Sequence, residues 1–146
     1  MSAQINYTEN RQTYILPASS RSDDIRRCSD EAELSAVRFV QKLGIRPNLS
    51  GYHLLIKSIT LAVKEPVLMD SLTRSLYPMV AQALGCDVKA VERNIRRAID
   101  SAYEYDPERI RGLFYYKVDK PYISEVISLA VESIRYEAAF QCCGSV

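Results

Sequence analysis

The feature that most constrains the fold is the spacing of apolar residues between positions 88 and 102. Five of them recur at intervals of three and four residues: Val91, Ile95, Ala98, Ile99 and Ala102. Most of the residues between them are charged or polar. This period places the apolar side chains along one side of an α-helix. The pattern therefore predicts an amphipathic helix whose apolar side belongs to a core.

Helical spacing continues through most of the chain after residue 30. We expect further helices over residues 30–43, 50–65, 70–76, 78–84, 108–114 and 123–140. In the first of these, Leu34, Val37, Val40 and Leu43 recur at threes and are predicted to form the buried face. Ser50 is predicted to cap the second. No two alternating apolar runs joined by a hairpin turn occur there. We therefore predict an all-α bundle of about six helices over residues 30–146, preceded by an irregular N-terminal arm over residues 1–29.

Composition excludes several classes of protein. Apolar residues make up 47% of the chain and charged residues 25%, which fits a soluble domain rather than a disordered chain. No window reaches 18 uninterrupted apolar residues, so we expect no membrane contact. The first twenty residues lack a secretory signal. The four cysteines form no CxxC pair, and we interpret them as free thiols of a cytoplasmic protein.

Three residues between positions 81 and 91 have the spacing of a helix-turn-helix. A small residue, Ala81, is followed four residues later by Gly85 and six residues after that by the apolar Val91. Two helices that cross steeply need a small residue at the contact, a turn residue that tolerates positive φ, and an apolar anchor on the second helix. A plain corner between two helices satisfies the same pattern and stays open as the alternative.

The polar side of the helix around position 93 carries an unusual set of charges. Away from its apolar side lie four cations and one anion: Lys89, Glu92, Arg93, Arg96 and Arg97. Arginine binds guanine O6 and N7 bidentately, and glutamate accepts a hydrogen bond from cytosine N4. The face therefore suits the reading of bases. The alternative is an ordinary solvated surface with an i,i+4 pair between Glu92 and Arg96.

The chain also resembles a known family over about two-thirds of its length. The matching segments are LGIRPNLSGYHLLIKSI at 43–59, DSLTRSLYPMVAQAL at 70–84, KAVERNIRRAID at 89–100, RGLFYYKV at 111–118 and SEVISLAVESIRYE at 124–137. They are similar to the C-terminal DNA-binding effector domain of the master response regulator of sporulation in endospore-forming Firmicutes. The resemblance implies a six-helix bundle that binds double-stranded DNA at short TGTCGAA-like boxes, often as a tandem pair.

The resemblance also implies roles for individual residues. Glu92 and Arg93 match the base-reading residues of the family, and Arg96 matches its second recognition arginine. Phe114 and Val118 match the segment implicated in contact with the RNA polymerase sigma subunit, although core packing is an equal explanation for Phe114. Where the family usually has histidine, this chain has Arg97, which adds positive charge.

A second departure from the family concerns regulation. The stretch that precedes the effector domain is shorter than the roughly 40 residues below which a chain rarely folds alone. We therefore expect no receiver domain, no switching by phosphorylation of such a domain, and DNA binding set by protein concentration, with two weakly associating copies on adjacent boxes.

No motif in the sequence indicates an enzyme. P-loop, GxSxG and HExxH patterns do not occur, and His53 is the sole histidine, without a partner at metal-ligand spacing. We expect no catalytic residues, no metal and no cofactor. Two functions stay open at this point. One is a sequence-specific DNA-binding regulator. The other is a protein-interaction module that has lost DNA binding and contacts the sigma subunit or another regulator, which the net charge of +1 favours.

Overall fold

The computed structural model describes residues 20–114 and 119–144, with side chains for residues 31–114 and 119–138. All regular secondary structure in these ranges is helical. Within these ranges there are six α-helices: α1 Ser20–Leu43, α2 Ser50–Lys64, α3 Tyr77–Leu84, α4 Val88–Tyr105, α5 Pro107–Leu113 and α6 Ile123–Gly144. A 3₁₀ turn over Pro66–Asp70 and a π-helical turn over Leu72–Leu76 connect α2 to α3. The prediction of an all-α fold with about six helices is confirmed.

The first helix begins ten residues earlier than the apolar pattern indicates. It starts at Ser20, whereas apolar spacing places the start at residue 30. Helical turns made of polar residues have no apolar stripe, so apolar spacing does not predict the first turns of α1. By contacts the chain divides into two units, residues 1–31 and residues 32–146. Residues 1–19, which make up most of the predicted arm, lie outside the described residues.

The buried face of α1 differs from the predicted one. Leu34 is 53% exposed and Val37 is only partly buried, whereas Ala32, Ala36 and Phe39 are buried. Successive steps of three residues fall about 60° short of a full turn, so a run of three such steps crosses to the opposite side of the helix. Leu34 and Leu43 therefore cannot share a face. Apolar residues stay on one side of a helix when steps of four and three residues alternate.

Glycine and proline set the ends of several helices. Gly44 follows α1 with φ 86° and Gly85 follows α3 with φ 68°, and both are in the left-handed region that favours glycine at a helix C-terminus. α2 ends at Lys64, before Pro66, and Pro78 lies in the first turn of α3. The predicted cap at Ser50 is wrong: Leu49 occupies that position, and no side chain caps the helix.

Helix α2 lies at the centre of the domain, packed against α4 and α6. Leu55, Ile59 and Ala62 have no solvent exposure. Its two buried hydroxyls need no partner outside the helix: Ser58 donates to the carbonyl of Leu54 at 2.7 Å, and Thr60 donates to that of Ile56 at 2.8 Å. A helix with nine of its fifteen residues buried can thus keep polar residues without leaving their hydrogen bonds unmade.

Helices α2 and α4 lie close together at Gly51. A Cβ atom built on Gly51 would lie 2.7 Å from the Cβ of Ala98, and it would collide with the carbonyl oxygen of Asn94. Real Cβ atoms essentially never come this close to another heavy atom, and a helix backbone cannot move aside as a flexible side chain can. Glycine at this position therefore sets the distance between α2 and α4.

We expect Gly51→Ala to lower the free energy of unfolding by about 1–3 kcal/mol, because an added methyl group overpacks the contact with α4. Gly112→Ala is the matched control. Gly112 lies in α5, a Cβ there would meet no atom within 4 Å, and alanine is the better helix former. Urea unfolding of both variants measures the difference. Wild-type stability in Gly51→Ala would show that the two helices lie further apart.

Candidate nucleic-acid interface

Helices α3 and α4 form a pair joined by the three residues Gly85, Cys86 and Asp87. The amide of Cys86 donates to the carbonyl of Ala81 at 3.0 Å, which closes the left-handed turn at Gly85. Asp87 occupies the N-cap position of α4, although its side chain accepts no hydrogen bond there. Ala81 is 5% exposed and Val91 is fully buried. The three residues that indicate a helix-turn-helix thus occupy a contact, a turn and an anchor.

Helix α4 separates its apolar and charged residues completely. All five residues of the predicted apolar face are buried, and none exceeds 5% exposure: Val91, Ile95, Ala98, Ile99 and Ala102. On the other side Lys89, Arg93 and Arg97 are exposed. The prediction of an amphipathic helix is confirmed, and its cationic side faces solvent.

Glu92 and Arg96 make the i,i+4 pair that the sequence suggests. The guanidinium of Arg96 donates to a carboxylate oxygen of Glu92, and the two groups also form an ion pair. The Arg96 side chain is 60% exposed and that of Glu92 is 37% exposed. An i,i+4 pair on a helix surface contributes only about 0.3–0.5 kcal/mol. A stronger partner for either side chain can therefore break the pair.

A pocket of about 290 Å³ opens beside this pair. Glu92, Arg96 and Asp100 from α4 line it together with Tyr77 from α3 and Ser124 from α6. The sequence assigns no site role to Tyr77 or Asp100, although both lie in segments that match the family, because only the packing of the helices brings them beside the charged pair. The carboxylate of Asp100 lies 2.8 Å from the ammonium group of Lys120, a residue from the segment before α6. The tertiary fold therefore extends the charged face of α4 beyond the helix itself.

Tyr77 is 4% exposed as a residue, and its phenol lies near the charged pair. Burial, and then the negative charge of Glu92, raise its pKa from 10.0 to about 12, and the positive charge of Arg96 opposes them. The neutral phenol therefore persists through the physiological range. It forms an uncharged wall next to the two residues of opposite charge.

Several other candidate residues do not join this site. Phe114 is 2% exposed and belongs to the hydrophobic core, and Val118 lies outside the described residues. His53 is exposed on α2 and contacts the ring of Tyr52 edge-on. The part of the chain that the structure describes has no cluster of His, Cys, Asp and Glu suited to a metal ion. It also has no helix long and apolar enough to cross a membrane.

A known protein family matches most of the chain. The model described as the C terminal of the sporulation initiation factor Spo0A matches residues 36–134, which is 99 of the 146 residues. The matched stretch starts within α1 and ends within α6, so it contains α2, α3, α4 and α5 in full. It includes every residue of the charged face of α4 and every residue that lines the adjacent pocket.

The raised pKa of Tyr77 makes stability sensitive to alkali. The phenol ionises near pH 10 in the unfolded chain and near pH 12 in the folded one. The contribution of this residue to the free energy of unfolding is therefore fully present below pH 10, and it is lost as the pH rises towards 12. We expect Tyr77→Phe to lose less unfolding free energy than the wild type between these pH values. Tyr136→Phe, which changes an exposed phenol, is the control, and equal behaviour of the two variants would contradict the assignment.

Proposed function

Because the chain belongs to the family of Spo0A C-terminal domains, the DNA-binding effector domains of sporulation response regulators, we propose that it regulates transcription by binding short TGTCGAA-like boxes in duplex DNA. The observation that carries this proposal is the charged side of α4. Its cations are exposed, while the opposite side is anchored in the core. A helix held in this way presents side chains outward to the major groove.

The proposed roles follow from the chemistry of each side chain. Arg93 and Arg96 bind guanine through O6 and N7, and Glu92 accepts a hydrogen bond from cytosine N4. Lys89 and Arg97 bind phosphates and fix the register of the helix on the duplex. Lys89 lies in the first turn of α4, where a cation interacts unfavourably with the helix dipole. Helix stability therefore does not account for its position, and a phosphate partner does.

A net charge of +1 does not argue against this function. The cations of α4 are concentrated on one exposed face, and the local field rather than the sum of charges attracts a phosphate backbone. We further propose that two copies occupy adjacent boxes with weak contact between them. A protein that works on DNA in this way belongs in the cytoplasm of a bacterium, which agrees with the free thiol of the exposed Cys86.

Contact with the RNA polymerase sigma subunit is the alternative function that the resemblance implies. Phe114 contributes its side chain to the core, so it supports the local surface rather than forming it. The geometry of the described residues therefore favours DNA binding as the primary function. Selection of bound sequences from a random DNA pool separates the two functions, because an interaction module that has lost DNA binding enriches no motif.

We expect Arg93→Ala to weaken binding to the selected box by about 1–3 kcal/mol and to change binding to random DNA little, because a bidentate contact with guanine discriminates between bases. Fluorescence anisotropy with both DNAs measures the two affinities. An equal loss on both DNAs would place Arg93 among the phosphate contacts instead.

Lys89→Ala and Arg97→Ala should have the opposite signature. Each variant should bind all sequences more weakly, and the slope of log affinity against log salt concentration should fall by about one for each phosphate contact removed. Titrations at several salt concentrations measure this slope. Arg135→Ala is the control, because it removes an exposed cation from α6 rather than from α4. An unchanged slope would show that neither residue touches the DNA backbone.

A further inference from the structure

Arg96 lies between two carboxylates on the same face of α4. Glu92 is one turn before it and Asp100 is one turn after it, and side chains four residues apart are neighbours on a helix surface. All three line the pocket of about 290 Å³ beside α4. The guanidinium that we propose reads DNA therefore has two competing partners within its own helix.

In the structure Arg96 forms its ion pair and hydrogen bond with Glu92. The order of charges explains this choice, because an acid that precedes a base by four residues pairs better than a base that precedes an acid. Asp100 follows Arg96 and also has the shorter side chain. The pair with Glu92 cannot persist on DNA, however, if Glu92 and Arg96 each turn to a base. Asp100 then becomes the remaining intramolecular partner for Arg96.

The carboxylate of Asp100 has an ion-pair partner. One of its oxygens is withdrawn from solvent and makes no hydrogen bond to a described residue, but it lies 2.8 Å from the ammonium group of Lys120, within ion-pair distance. Lys120 comes from the segment three residues before α6, and its side chain is 47% exposed, against 33% for that of Asp100. Its ammonium group counters the charge of the carboxylate, although Lys120 itself does not line the pocket.

We propose, on the basis of the function proposed above, that Lys120 is a positioning residue for DNA reading: it neutralises Asp100 and so prevents Asp100 from capturing Arg96. When Glu92 turns to its base, Arg96 finds no free carboxylate one turn further along α4 and goes to the DNA. Without Lys120, Asp100 competes with DNA for the guanidinium. The loop before α6 thus sets how readily a residue of α4 becomes available.

The first test measures whether the effect of Lys120 on DNA affinity depends on Arg96. Lys120→Met keeps the aliphatic stem and removes the charge. We expect it to weaken binding to the selected box about twofold, which is the size of an i,i+4 pair on a helix surface. In the Arg96→Ala background the same substitution should cost nothing further. An undiminished loss in that background would mean that Lys120 binds the DNA itself, and the proposal would be wrong.

The second test restores binding by a change at Asp100. Lys120→Met with Asp100→Asn should regain wild-type affinity, because the competing charge is gone. Lys120→Met with Glu104→Gln is the matched control. It removes the same charge from an exposed position one turn further along α4, outside the pocket. Equal recovery in both double variants would show that only net charge matters, which overturns the proposal.

A third measurement needs no DNA and therefore separates this inference from the proposed function. In the free protein carrying Glu92→Gln, which removes the charge that holds Arg96 in the absence of DNA, the NMR signal of the Arg96 Nε–H group should move when Lys120→Met is added and return when Asp100→Asn is added as well. Melting temperatures of all variants establish that each one is folded. An Arg96 signal that ignores both substitutions would refute the capture by Asp100, whether or not the protein binds the selected box.

Discussion

The close contact between α2 and α4 at Gly51 is the constraint on which the rest of the structure depends. Gly51 lies against Asn94 and Ala98, so the backbone of α4 is fixed at the level of its charged residues. The buried face of α4 completes the attachment, since its members have almost no exposure. A recognition helix must hold its side chains in register with base pairs, and rigid support close to those side chains supplies that register.

The charges of α4 illustrate the difference between composition and arrangement. The chain as a whole carries a net charge of +1, which suggests no partner. The fold places Lys89, Arg93 and Arg97 together in solvent and gathers Glu92, Arg96 and Asp100 around one pocket. Electrostatic attraction falls off within about 10 Å at ordinary salt concentrations, so this local arrangement governs association.

The buried face of α1 and the cap of α2 differ from their predictions for a common physical reason. Apolar residues at threes suggest one face, but such a run rotates around the helix, and Leu34 is therefore exposed. The hydroxyl of Ser50 suggests a cap, but Leu49 has the extended backbone of that position. Both cases show that local signals specify a helix more reliably than they specify its orientation or its first residue.

The all-α class, the glycine turn at Gly85 and the apolar and charged sides of α4 can be predicted from the sequence, because helical period and left-handed turns are local properties of the chain. Which residues meet across the chain depends on tertiary packing. Tyr77 lies near Glu92, and Lys120 lies 2.8 Å from Asp100, although twenty positions separate the last two. Such contacts depend on how helices pack, and no period or motif in the sequence encodes that packing directly.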